Sequence, residues 1–383
     1  MKEFEYFLFE NFDADEESQN PNNPRNFLGK ETDAIISLIA QKPANTCTYS
    51  HCCAESNTCL VKKLISGGIL RLDGTILNFD CPVFLRDDAV VLYKAIAEKA
   101  VPLVNMLESK IAEIRACCSQ IHNDFSIEQN LYHILCGMVF DGYFFDYLNA
   151  KGVLITSRLH PSGLDYLNII YEKCSELQAL SNGLLCSYNR LKNDKCSLQS
   201  FGDANGERFD FYRFFRLAER KDIPSKFKNA KAVLYENYGG LDKDALLSDV
   251  VSLIQTGRCV PSARKLLEQF GYMQNGTICV PIYTPEHQRY ITEIEDIVER
   301  SIGDAMSRTL IDLSSSIDIT SVKHKVNQLE IANELYHIVF GLVNEELVSR
   351  EIVAAPQQKP GEGRYFKCIE LQETSCKDEI SSV

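Results

Sequence analysis

Nowhere in its 383 residues does the chain hold an apolar run near the roughly 20 positions that a membrane helix needs. Its first residues, MKEFEYFLFENFDADEE, are acidic and aromatic, whereas a secretory leader is basic and then apolar. The expectation is therefore a protein that neither spans a membrane nor is exported. Its 15 cysteines then read as thiols in a reducing compartment, intracellular and cytoplasmic, or nuclear in a eukaryote. Positive charge is also in short supply: Lys and Arg total 40 against 53 Asp and Glu, a net charge of -13. That balance argues against indiscriminate binding to nucleic acid or to an anionic membrane unless a local patch overrides it. No CxxC pair occurs, which removes the usual knuckle of structural zinc. GxxxxGK[ST], GxGxxG, GxSxG and HExxH are all missing, so the expected protein is non-enzymatic. Tryptophan is absent too, and this excludes nothing.

What is present is an ordinary globular composition, with 45% hydrophobic and 24% charged residues on a chain long enough for two or three domains. The chain also repeats itself. Asp33–Gln41 (DAIISLIAQ) resembles Asp249–Gln255 (DVVSLIQ), Val61–Ile76 (VKKLISGGILRLDGTI) resembles Ala263–Ile278 (ARKLLEQFGYMQNGTI), and Gln129–Val139 (QNLYHILCGMV) resembles Ala332–Val343 (ANELYHIVFGLV), always in the same order. The step from Ile39 to Ile254 is 215 residues, from Gly74 to Gly276 it is 202, and from His133 to His337 it is 204. The first copy therefore carries 13 extra residues between its first two matches, where TCTYSHCCAESNTC lies.

Each copy reads as helix, helix and β-hairpin. Leu60, Val61, Leu64, Ile65 and Ile69 have helical spacing that stops at Gly67-Gly68. Asp73-Gly74 and Asn275-Gly276 sit between alternating runs, the pattern of a type I′ turn with positive φ at both central residues. This order resembles a winged-helix domain over about Lys30–Phe84 and again over Leu241–Tyr283. Long amphipathic helices are expected next, with Leu103, Leu107, Ile111, Ile114 and Cys118 on one stripe and Ile291, Ile294, Val298, Ile302, Met306 and Leu310 on the other. Pro102 is expected to start or kink the first of them. Each LYHI helix is expected to lead into a hairpin, with a turn at His160–Gly163 in the first copy.

The fold class expected is thus mainly α with small β-hairpins (α+β), built from duplicated winged-helix domains with helical extensions. Its segments are an acidic stretch at 1–29, winged helix A at 30–86, an extension at 87–171, a helical connector at 172–240 with a loop at Lys192–Glu207, winged helix B at 241–284, an extension at 285–371 and a tail at 372–383.

For chemistry, three groups stand out. Lys62, Lys63 and Arg71 in the first copy and Arg264 and Lys265 in the second lie on or beside the helices that a winged helix sets into the DNA major groove. Arg213–Lys231 holds seven basic and two acidic residues, including Arg213, Arg216, Arg220 and Lys221, interleaved with Phe214, Phe215 and Phe227. That pattern suits a phosphate backbone with aromatic support, an acidic surface such as the chain's own first 17 residues, or a solvated helix with its apolar face inward. Cys47, Cys53 and Cys59 form C-x5-C-x5-C, with His51 and Cys52 close by. The spacing is similar to that of iron–sulfur winged-helix repressors, but here the thiols precede the recognition helix rather than follow the wing. The preferred reading is a loop without cofactor, in which thiols act as small hydrophobes; zinc or an iron–sulfur cluster is the alternative. His133 and His337 read as hydrogen-bonded core residues.

The partner expected is duplex DNA, read by a tandem repeat that takes the place of a homodimer on half-sites about 34 Å apart. The alternative is a protein partner in a larger assembly.

Overall fold

The computed structural model describes residues 2–10, 23–157, 163–164, 166–181, 183–204, 208–218, 223–359 and 363–372. It is a mixed α and β protein, mostly helical with small sheets, and divides into two compact units. The first comprises 1–108, 143–184 and 299–346, and the second comprises 109–142, 185–298 and 347–383.

In the first unit, α1 (Lys30–Ala40) buries Ile35, Ile36 and Ile39, with Glu31 and Asp33 in its first turn where the helix dipole favours negative charge. Thr48 caps α2 (Tyr49–Glu55) by accepting from the His51 amide at 3.2 Å. Asn57 caps α3 (Thr58–Ser66), accepting from the Cys59 and Leu60 amides at 3.0 and 3.3 Å. α3 buries Leu60, Val61 and Leu64 and stops at Gly67, after which Gly68 takes φ 69°. The hairpin of β2 (Leu70–Asp73) and β3 (Ile76–Phe79) follows. The stretch that is extra in the first copy supplies α2 and a third strand-like contact: Leu77 N–H donates to Cys47 O and Tyr49 N–H to Thr75 O, each at 2.8 Å, around a bridge between Thr48 and Ile76.

In the second unit α10 (Lys228–Tyr238), α11 (Lys243–Thr256) and α12 (Pro261–Gln269) precede β8 (Met273–Gln274) and β9 (Thr277–Ile278). The helices α11 and α12 stand before the hairpin as α1 and α3 do in the first unit, and α2 and α10 have no counterparts. Pro261 opens α12, where its missing N–H costs nothing. The two hairpins differ at their tips. Asn275 and Gly276 have φ 52° and 78°, as a type I′ turn requires. In the first hairpin Asp73 pairs with Ile76, so the tip is Gly74-Thr75 and only Gly74 has positive φ, at 64°. The expected Asp73-Gly74 tip is off by one residue because a glycine at the first central position meets the demand of the type II′ alternative.

Each unit also has a sheet in which one strand runs parallel to the short strand after the hairpin. In the first unit β5 (Tyr166–Glu172) lies between β1 (Phe4–Glu10), antiparallel, and β4 (Val83–Phe84), parallel. In the second, β11 (Phe366–Leu371) lies between β7 (Cys196–Asp203), antiparallel, and β10 (Ile282–Tyr283), parallel, with β6 (Leu185–Lys192) outside β7. Ile170 N–H donates to Pro82 O and Ile369 N–H to Pro281 O, both at 2.9 Å, and each pair is 199 residues from its counterpart.

Three expectations fail locally. Residues 172–240 are not a purely helical connector, because β6 and β7 form a hairpin across the expected loop. All eight residues of β7 are buried, Ser197, Gln199 and Ser200 included, so the strand shows no alternation to betray it. The stripe from Leu103 to Cys118 is not one helix: α4 (Arg86–Glu108) carries Pro102 inside it and ends before α5 (Ile111–Cys118). Val153–Thr156 form no strand, so β5 has no hairpin partner there; the turn expected at 160–163 lies largely outside the described residues.

Candidate functional site: the basic helices and their surroundings

Lys62 and Lys63 are exposed on α3, opposite the buried Val61–Leu64 side, and Lys265 is exposed on α12. A cleft of about 350 Å³ lies between the starts of α1 and α3, where Lys30 and Lys63 join Phe27, Asn57 and Cys59. Lys30 belongs with the basic set although nothing in its sequence context marks it.

Two of the expected contacts are engaged within the fold. Arg71 spans Asp73 at 3.0 Å and Asp80 at 2.9 Å and donates to His324 O at 3.2 Å. Arg264 donates to Gly257 O at 2.8 Å, satisfying the C-terminal end of α11, and to Gly276 O at 3.4 Å. Both arginines brace the hairpin against the helices.

In the basic segment, α9 (Phe211–Ala218) and the turn Ser225–Phe227 send Phe214, Phe215 and Phe227 into the core. Phe227 and Phe214 pack with Phe209 and Phe270, the Phe209–Phe270 centroids lying 4.4 Å apart. The aromatic residues are thus core and not a stacking platform. Arg213 and Arg216 are half-buried on α9; burial, then the neighbouring Arg208, pulls the Arg213 guanidinium below its ordinary range. Arg220 and Lys221 lie outside the described residues.

The cysteine cluster is split by burial. Cys47 and Cys52 are buried, Cys53 and His51 are intermediate and Cys59 is exposed. Burial pushes the Cys47 thiol up, and burial, then Cys47 and Cys53, pushes Cys52 to about 12. These two thiols are core side chains. Among the described residues no group of three or more His, Cys, Asp or Glu side chains is arranged to hold a metal ion.

His133 is fully buried in the core, and His337 is half-buried. His133 Nε2 faces Gln199 Oε1 at 3.0 Å and Cys368 Sγ at 3.0 Å. Gln199 Nε2 donates to Glu370, which leaves Oε1 as the acceptor and puts the proton on His133 Nε2. Burial lowers His133 to about 4 and raises Cys368, so the pair is neutral and sealed from solvent. His337 Nδ1–H donates to Asn333 O at 3.0 Å, and burial lowers it to about 4.

Compared with protein-family models, with curated proteins and with solved structures, the chain matches none. Among the described residues no helix is long and apolar enough to cross a membrane.

Proposed function

We propose that the chain is a non-enzymatic tandem winged-helix protein that binds duplex DNA as a transcriptional regulator, with α3 and α12 as its groove-facing helices. Support for the duplication comes from the two helix-helix-hairpin runs and from the short strand in a parallel pair that follows each, whose contacts repeat at a step of 199 residues. The observation that carries the binding reading is the exposure of Lys62 and Lys63 on α3 and of Lys265 at the matching place on α12. These cations reach phosphate oxygens by charge-assisted contacts, which set register and supply affinity without reading sequence.

The second reading is a docking subunit of a larger assembly. The internal engagement of Arg71 and Arg264 favours it, because each leaves its module with fewer charges for phosphate.

The Lys62→Ala, Lys63→Ala double variant separates the two. Under the DNA reading, anisotropy with a mixed-sequence duplex at low salt shows affinity about tenfold lower than wild type, since two phosphate contacts are worth roughly 1 kcal/mol or more together. Lys265→Ala loses about half as much in free energy. Equal affinities for wild type and both variants would remove the groove assignment.

A further inference from the structure

Among the described residues ten large hydrophobic side chains are exposed, and five of them, Val90, Val91, Tyr93, Val101 and Met106, lie on the 23-residue helix α4. Scattered single cases need no explanation, but half of the total on one helix does. Val90 is 73% exposed, Tyr93 58% and Val101 44%. With Ala97 they follow steps of three, four and four, the seam by which a helix packs on a partner helix. The opposite face is already used, because Leu92, Ile96, Leu103 and Leu107 are buried.

The fold itself does not ask for this seam. The helix α13 (Pro285–Ser316) begins 199 residues after α4, the step that also relates the Pro82 and Pro281 contacts. At that step Val90, Tyr93, Ala97 and Val101 correspond to Arg289, Thr292, Asp296 and Arg300, all exposed as well. The same face is polar on one helix and apolar on the other.

We infer that α4 is a two-fold homodimer surface, packing antiparallel on α4 of a second copy. Charge selects the occupant and its direction. Lys94 and Glu98 are exposed one turn apart on the same flank of the seam, and neither has an ion-pair partner among the described residues. Flanks on the same side meet only when the two helices run antiparallel, and a two-fold axis at the level of Ile96 then sets Lys94 of each copy against Glu98 of the other. The same axis lays Val90 over Val101, with the small Ala97 allowing close approach. A single-helix seam is smaller than a standard interface, so the dissociation constant falls on the order of micromolar.

Sedimentation equilibrium of the full chain from about 1 to 200 μM tests this range directly. Wild type is expected to shift from monomer to dimer mass. Val90→Lys with Val101→Lys should stay monomeric throughout, and Lys94→Glu should weaken the dimer at least about tenfold by setting like charges together. Lys94→Glu with Glu98→Lys should restore it to within about threefold, a rescue that general loss of structure does not give. Wild type that remains monomeric at the highest concentration overturns the proposal, as does a dimer indifferent to lysines at 90 and 101, or a charge swap that fails to rescue.

Discussion

Asp203→Ala is expected to cost the second unit about 3–5 kcal/mol, the range for stripping one partner from a buried ion pair. Asp203 ends β7 with its carboxylate 7% exposed, and it accepts three bonds from Arg364: from the backbone amide at 2.7 Å, from Nε at 2.9 Å and from Nη2 at 2.6 Å. Its backbone carbonyl also takes the Tyr365 hydroxyl. These bonds pin the chain ahead of β11 to the end of its neighbour strand. Gly202 and Gly363 belong to the same clamp: a Cβ on Gly202 would run into the carbonyl of Arg364, and one on Gly363 would meet the Asp203 carboxylate at 2.6 Å. Removing the carboxylate takes two charge-assisted bonds from a largely buried guanidinium and a third from the Arg364 amide. Urea unfolding supplies the measurement, with Asp73→Ala as control. Asp73 is half exposed in its pair with Arg71, so its loss should cost no more than about 1 kcal/mol. Similar small losses for both variants would mean that water replaces Asp203 at no great penalty.

Stability should peak near pH 5–6.5 and fall as pH rises above that. Burial lowers His133, His324 and His337 from 6.5 to about 4. A group with a depressed pKa binds fewer protons when folded, so these three contribute stability that is lost as pH falls from 6.5 toward 4. Burial raises Asp141 to about 8 and Glu334 and Glu295 to about 7. These carboxyls bind more protons when folded, so their contribution is lost as pH rises from the unfolded values near 4 up to 7 or 8. Across pH 4.5–6.5 the two sets oppose each other and the profile is flat. Above pH 6.5 the histidines are neutral in both states, and the carboxyls alone set the slope. Asp141 dominates, because its carboxylate accepts the Tyr188 amide at 2.6 Å with Arg208 and Arg190 as its nearby cations, and burial still prevails. A loss of about 2 kcal/mol between pH 6.5 and 8.5 is expected in urea midpoints, and Asp141→Asn should flatten it. Stability that rises through the same interval would show these carboxyls to be ionised in the fold.

Local punctuation carried much of the architecture. Gly67-Gly68, Asn275-Gly276 and the apolar spacing of α3 and α12 mark their elements because each answers a backbone demand within a few residues. Pairing between distant segments leaves no such mark. β5 finds β1 and β4, and β11 finds β7 and β10, across more than 80 residues in every case, and β7 hides its buried polar side chains in a segment that reads as loop. The two units are assembled from alternating stretches of chain, which no periodicity reports. Site residues divide in the same way. Lys62, Lys63 and Lys265 are as exposed as their helical positions imply, whereas the partners of Arg71 lie as far off as His324. Cys47 and Cys52 show why sulfur density alone misleads: α2 turns Cys52 into the core and the segment before it buries Cys47, and there a thiol packs as a small hydrophobe.

The central claim, that the exposed lysines of α3 and α12 grip duplex DNA, is tested most directly by the salt dependence of binding. With Lys62, Lys63 and Lys265 each neutralising one phosphate, log affinity should fall against log salt with a slope of about -3, and Lys62→Ala with Lys63→Ala should reduce that slope to about -1. Affinity weaker than about 10⁻⁴ M at low salt, or a slope unchanged in the double variant, would contradict the account.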